Sequence, residues 1–357
     1  MTPRPLGASE LCVPPLVLGT MAYGNRRSAA QQVETVRAAL DAGMTAVDTA
    51  PLYHFGHTET MLGDALRGRT ATVLGKVGLR WGDGARGDVL LRTQVNGRPL
   101  VVHKDSRPAS VRADVEASLK RLRIEALDLC QVHHPDLHTP IAETMGALLD
   151  LRAEGKLRHI GVSNFDDAQL VEARTALGEV PLVAHQVEFS LLHLEGRARV
   201  ERAEALGVGT LLYSPLRRGA LTGARSKRGG MHVADPRARG TAFVHANAAR
   251  IDATIDAVVR PVATRLQASV VQVTLAWLLH QPGVTAAIVG VSGPTQARNT
   301  ARAAALSLTQ DDLASIERGF ATLDLDPSAG PRKRDRLERK ARRVAGALLR
   351  RVRRLYR

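Results

Sequence analysis

The chain has 357 residues and is 44% apolar, enough for a sizeable core; its two cysteines, Cys12 and Cys130, exclude a disulfide framework or a Cys-rich metal site. No run of about 18 apolar residues is present, which excludes a spanning helix, and Pro and Glu interrupt the N-terminal MTPRPLGASELCVPPLVLGT where a signal peptide needs an unbroken apolar stretch, so a cytoplasmic protein is expected. The net charge of +15 is uneven: residues 327–357 hold thirteen Lys or Arg against Asp335 and Glu338, a net +11, so any polyanion argument belongs to that tail.

In chain order, strand-like runs fall at LVLG (16–19), MTAVD (44–48), TVLGK (72–76), LDLCQVH (127–133), HIGVS (159–163), VAHQVEF (183–189), TLLYS (210–214) and AAIVG (286–290). They are continuously apolar, as strands buried on both faces should be. Helical patterns lie between them. Residues 28–42 place Val33, Val36, Ala39 and Leu40 on one face before Gly43; residues 110–122 and 140–154 repeat the pattern, the latter ending at Gly155. This alternation predicts a (β/α)8 TIM barrel over residues 1–326, followed by a basic amphipathic or disordered tail, 327–357. An open doubly wound sheet is the competitor, but no G-x-G-x-x-G follows the first strand. Two connections are long, 77–109 and 215–250; in a barrel both are βα loops on the face where binding sites form.

The polar residues stand at strand ends: Asp48 at the second, Lys76 at the third, His133 at the fourth, Ser163 and Asn164 at the fifth, Gln186 within the sixth, Tyr213 and Ser214 at the seventh. In a barrel these ends share one mouth. Each has a bland alternative: Asp48 as a turn residue, Tyr53 as a surface aromatic, His133 as a satisfied core histidine. Together they suit a reaction at a carbonyl. A Lys ammonium beside Tyr53 is expected to lower a phenol pKa of about 10, a carboxylate keeps the Lys charged, and a His orients the carbonyl oxygen. The missing hydride source is one that a nicotinamide supplies.

DTAPLY, GKVG, LDLCQVHHPD, GVSNF and LLYSPLRRGALTG, in this order, resemble the aldo-keto reductases from about residue 5 to about residue 325. The resemblance implies reduction of an aldehyde or ketone, with Tyr53 as proton donor, Asp48 and Lys76 tuning it and His133 orienting the carbonyl. It implies that Ser163, Asn164 and Gln186 hold the carboxamide and that Tyr213 stacks on the nicotinamide. Ser214, Leu216 and Gly219 would approach the pyrophosphate, and Ser292, Gln296 and Asn299 the adenosine phosphate. NADP (as NADPH) is favoured over NAD, although GVSGPTQARN holds no base before Arg298. A small-molecule carbonyl substrate would meet His54, Trp81, His134 and the loop 215–250, and a monomer is expected.

Two other readings compete with this one. HHPDLH (133–138), with His54 and His57, suggests a metal-dependent hydrolase, but no H-x-H ends the first strand. A catalytically weak, cofactor-sensing or docking subunit of the same fold is the second. In the tail, residues 332–357 place Leu337, Ala341, Val344, Leu348, Val352 and Leu355 on one stripe among bases, the pattern of a helix for an anionic membrane surface or a protein partner. Tyr356 is its one aromatic, so single-stranded nucleic acid is not an expected partner.

Overall fold

The computed structural model describes residues 1–23, 28–95, 97–223, 241–243 and 245–326; the tail stripe lies outside these residues. Eight parallel strands close into a barrel: β1 (Leu16–Gly19), β2 (Ala46–Asp48), β3 (Thr72–Val77), β4 (Leu127–Val132), β5 (Leu157–Ser163), β6 (Leu182–Glu188), β7 (Gly209–Tyr213) and β8 (Val284–Val289), each paired with the next and β8 with β1. All eight coincide with the apolar runs of the sequence. Helices connect them on the outside. Ala29–Asp41 opens with a capping box, in which the Ser28 side chain accepts from Gln31 N–H and the Gln31 side chain accepts from Ser28 N–H. It stops at Gly43, whose φ of 91° is in the region that favours glycine.

An N-terminal ribbon floors the barrel. Arg4–Pro5 pairs antiparallel with Cys12–Val13, and Leu6 and Val13, both fully buried, join Val17, Ala46, Leu74, Leu129, Val183 and Leu211 in one apolar cluster. The ribbon approaches β7 so closely that a Cβ on Gly209 would lie 2.4 Å from Gly7 N. With the floor closed by apolar packing, the polar strand ends are left at the opposite mouth.

The connection after β3, rich in Gly and Arg, is the expected long βα segment, and it carries secondary structure of its own. It contains strands Leu79–Trp81, Val89–Val95 and Arg98–Lys104 in an antiparallel sheet, the last strand in the middle. The alternation of Leu91, Thr93 and Val95 with Arg92 and Gln94 and the pair Asn96-Gly97 before Arg98 carry that signal. Asp114, on helix Pro108–Leu122, ties this sheet to the barrel: it accepts from Gly78 N–H (3.0 Å) and from Arg80 Nη1 (2.8 Å). Burial pushes its carboxyl up to about 6 against those two donors.

Contacts divide the chain into two compact units, residues 1–215 with 272–309, and residues 216–271 with 310–357. The first holds the whole barrel. The second holds helices His245–Thr254, Arg260–Arg265 and Gln310–Ala321, with a π-helical turn at Ile255–Val259. Inside it Arg265 Nη2 bonds both oxygens of Asp312 at 2.6 Å, and Asn247 bonds the Asp326 backbone at 3.0 Å in both directions. Among the described residues no single helix is long and apolar enough to cross a membrane.

Candidate active site

Asp48 is the last residue of β2, and its backbone carbonyl accepts from Thr20 N–H and Thr20 Oγ1 (3.1 and 2.8 Å). That anchor fixes its carboxylate inside the mouth. Lys76, one residue short of the end of β3, has a fully buried side chain whose Nζ donates to both Asp48 oxygens at 2.6 Å. The same Nζ lies 3.3 Å from Tyr53 OH and from Thr49 O. His133 follows β4, its N–H bonded to Val77 O (3.0 Å), and its ring meets the Tyr53 ring edge-on at 6.0 Å. The structure thus brings together the four residues that the sequence placed on three different strand ends and one loop.

Their electrostatics differ from the sequence argument in one respect. Lys76 was expected to lower the Tyr53 pKa. Instead Tyr53 is held well above the usual phenol value, by burial first and then by the Asp48 charge. Asp48 grips the ammonium with both oxygens, so the pair presents little net positive charge to the phenol. Burial lowers the Lys76 pKa, with Asp48 opposing it. His133 is pushed well below the ordinary imidazole range by burial, then by Lys76 and His134, and is neutral at physiological pH. The resting site therefore holds a protonated phenol beside a neutral imidazole.

A second polar group occupies the ends of β5 to β7. Ser163 Oγ donates to Gln186 O (3.0 Å), Asn164 Nδ2 donates to His133 O (2.9 Å), and Tyr213 OH donates to Asn164 Oδ1 (2.8 Å). Asn164 and Ser214 take left-handed φ values of 63° and 55°, uncommon outside glycine and frequent at ligand-binding turns. Gln186 is placed differently from the other amides: its Nε2 donates to Asp48 Oδ2 at 2.8 Å. Gln131, not singled out from the sequence, lies behind it, its Oε1 3.4 Å from Gln186 Nε2. Gln131 is two residues before His133 in an apolar strand, so the period of two was the available signal.

After β8, Ser292 N and Oγ both lie 2.7 Å from Gln296 Oε1, and Asn299 O accepts from Gln272 Nε2 (2.6 Å). Arg298 lines a groove with Val33, Glu34 and Arg37 of helix Ala29–Asp41. Leu216 and Gly219 belong to the second unit, where Gly219 N–H bonds Leu216 O (2.9 Å) and Arg217, Arg218 and Gly219 have positive φ. The histidine-rich segment is dispersed: His134 stacks on His133 (5.4 Å), Asp136 accepts from Ser106 N–H and Thr139 Oγ1, and His138 Nε2 meets Asp88 (3.0 Å).

The family model described as "Aldo/keto reductase family" matches residues 15–319. The chain belongs to this family. Among its relatives, aldo-keto reductase YhdN of Bacillus subtilis is 31% identical over 321 residues, covering 88% of this chain and 92% of that one. The NADH-specific methylglyoxal reductase of Escherichia coli is 31% identical over 327 residues, covering 86% and 95%. Among solved structures, the glycerol dehydrogenase AKR11B4 from Gluconobacter oxydans superposes with a TM-score of 0.78 at 32% identity, covering 91% of this chain and 98% of that one. Aldo-keto reductases use nicotinamide cofactors, and the residues here fit one. The Ser163 hydroxyl and Asn164 amide offer donors and acceptors suited to a carboxamide. A Cβ on Gly290 would meet only Gly19 O, at 3.6 Å, so the ends of β8 and β1 leave open space beside them.

The turn that carries Tyr53 in this aldo-keto reductase is strained. His54, Phe55 and Gly56 have φ of 49°, 54° and 90°, and such a run persists only when its surroundings impose it. Arg121 supplies one wall. Its Nε donates to the fully buried Glu59 carboxylate (2.7 Å), and a Cβ on Gly56 would lie 2.9 Å from Arg121 Cδ. Arg121→Met leaves a buried carboxylate without its cation and is expected to cost about 3–5 kcal/mol in urea unfolding. Because the wall of the turn is lost, kcat should fall on the order of tenfold, with cofactor affinity unchanged.

Proposed function

We propose that the protein is an NAD(P)H-dependent carbonyl reductase, converting an aldehyde or ketone reversibly to its alcohol, with Tyr53 as the proton donor. The observation that carries this reading is Tyr53 OH at 3.3 Å from a Lys76 ammonium that Asp48 fixes with two bonds. The nicotinamide, when bound, supplies the hydride. Ser163 and Asn164 would hold its carboxamide, and Tyr213 would lie against its ring. Tyr53 OH and the neutral His133 imidazole bind the carbonyl oxygen from two sides. Tyr53 gives its proton to that oxygen as negative charge develops on it, and Lys76 steadies the phenolate left behind. In oxidation the same phenolate takes the proton from the alcohol. The test is reductant consumption by the purified chain with a reactive aromatic aldehyde, with NADPH and NADH in parallel.

NADPH is the favoured reductant, with Arg298 as the first cation after Gly290 that a 2′-phosphate can use. NADH is the second reading, favoured by the absence of any Lys or Arg between Gly290 and Ala297. Arg298→Ala decides. If Arg298 binds the 2′-phosphate, the kcat/KM ratio of NADPH to NADH falls about tenfold, the value of one charge-assisted contact. An unchanged ratio assigns the enzyme to NADH or to another phosphate ligand.

A further inference from the structure

Strand Leu79–Trp81 begins three residues after Lys76 and pairs antiparallel with Arg98–Lys104: Leu79 faces Lys104, Arg80 faces His103 and Trp81 faces Val102. Partners directly across a ladder share a face of the sheet. One face holds Arg80, bonded to Asp114 (2.8 Å), and His103, whose Nδ1 lies 2.8 Å from Gly87 O. The other face holds Leu79, Trp81, Val102 and Lys104. Trp81 on this second face packs edge-on against Phe55 at 5.2 Å, within the turn that starts at Tyr53. So Lys104 shares its face with a ring that borders the proton donor's loop.

Arg86, near it in the chain path, is exposed, and three other cations of this segment and its flanks are engaged. Lys76 is bonded to Asp48, Arg80 to Asp114 and Arg107 to Asp105. Lys104 is half-buried and makes no ion pair among the described residues. Asp88, whose carbonyl accepts the Lys104 N–H (2.8 Å), turns its carboxylate to His138 (3.0 Å) and feels the ammonium only at longer range. On the mouth side, His134 is lowered to about 4 by burial and then by the Lys104 charge, so it adds no competing cation. The rim next to Tyr53 and His133 thus combines an aromatic wall with one ammonium not paired to a carboxylate.

We propose that Lys104 determines substrate specificity by binding a carboxylate carried on the aldehyde or ketone. The alkyl or aryl part of such a substrate lies against Trp81 and Phe55, and its carbonyl reaches Tyr53 and His133. The three N–H donors of a half-buried ammonium that makes no ion pair among the described residues are open to a substrate anion. The inference rests on the reductase reading above.

The test compares 4-carboxybenzaldehyde with its methyl ester, and 4-oxobutanoate with its methyl ester, using the full chain and whichever reductant it turns over. The expected wild-type preference for the acids, in kcat/KM, is about tenfold. Lys104→Met should abolish it through KM while leaving the esters unchanged, Lys104→Glu should reverse it, and Lys104→Arg should keep most of it. Added salt should weaken it in the wild type and in Lys104→Arg and have no effect on the Lys104→Met ratio. Esters reduced normally with an acid-to-ester ratio that ignores Lys104→Met would overturn this inference and leave the reductase intact. Failure of every aldehyde in every variant would overturn the reductase reading and this inference with it.

Discussion

Tyr53→Phe is expected to lower kcat for aldehyde reduction by about 10²–10⁴-fold, the range for loss of a positioned general acid. Cofactor affinity should not change, because Tyr53 OH contacts Lys76 and not the amide group of Ser163 and Asn164. Phe fills nearly the same volume, so the strained His54–Gly56 turn keeps its shape. The pH profile makes the test sharper. Tyr53 is held well above its usual pKa and His133 well below its own, so neither changes protonation near neutrality. Wild-type kcat for reduction should therefore be flat between about pH 6 and 9, and the residual activity of the variant should be flat too. Oxidation needs the phenolate and should rise with pH across the same interval. The measurement is initial rates in both directions with stopped-flow cofactor titration alongside. Full reduction by the Phe variant would move the proton donor to His133 or to water.

The barrel could be read in the sequence because a strand buried on both faces has no polar alternation to obscure it. LVLG, TVLGK and AAIVG carry that mark, and a closed sheet then fixes where Asp48, Lys76 and His133 end up. What the sequence hid is of two kinds. The sheet formed by 79–81, 89–95 and 98–104 was masked by its Gly and Arg content, although Leu91, Thr93 and Val95 alternate with Arg92 and Gln94 and Gly97 marks the turn. Contacts between distant segments were the second kind. Nothing in HTETML announces that Glu59 meets Arg121, sixty-two positions later, or that Gln186 turns to Asp48 across 138 positions. The sign of the Tyr53 shift was hidden for the same reason. It depends on how completely Asp48 neutralises Lys76, which is a matter of two distances and not of residue type.

Asp48→Asn is the variant in which those distances decide both stability and rate. Lys76 Nζ spends two bonds on this carboxylate, and Gln186 Nε2 a third. An amide keeps one acceptor oxygen and turns an NH2 group toward two donors. The Lys76 side chain is fully buried, so its charge loses its partner and the folded state should lose about 3–5 kcal/mol near neutral pH. Burial already lowers the Lys76 pKa, and Asp48 is the largest force opposing that shift. Without Asp48 the folded-state pKa falls further below its unfolded value of about 10.4. Between the two values the unfolded chain binds more protons than the folded one, so stability must rise with pH, by about 1.4 kcal/mol per unit. The gap between wild type and variant, measured by urea unfolding, should thus be smaller at about pH 9 than at about pH 7. A gap independent of pH would mean that Lys76 is not the group that titrates. Turnover has its own reason to fall. A Lys76 that has given up its proton cannot steady the phenolate left after proton donation, and a loss of about 10²-fold in kcat is expected, comparable to removing one preorganised donor from a developing anion. Raising the pH should then restore stability without restoring rate, because the neutral amine that relieves the folded state is the form that cannot support catalysis.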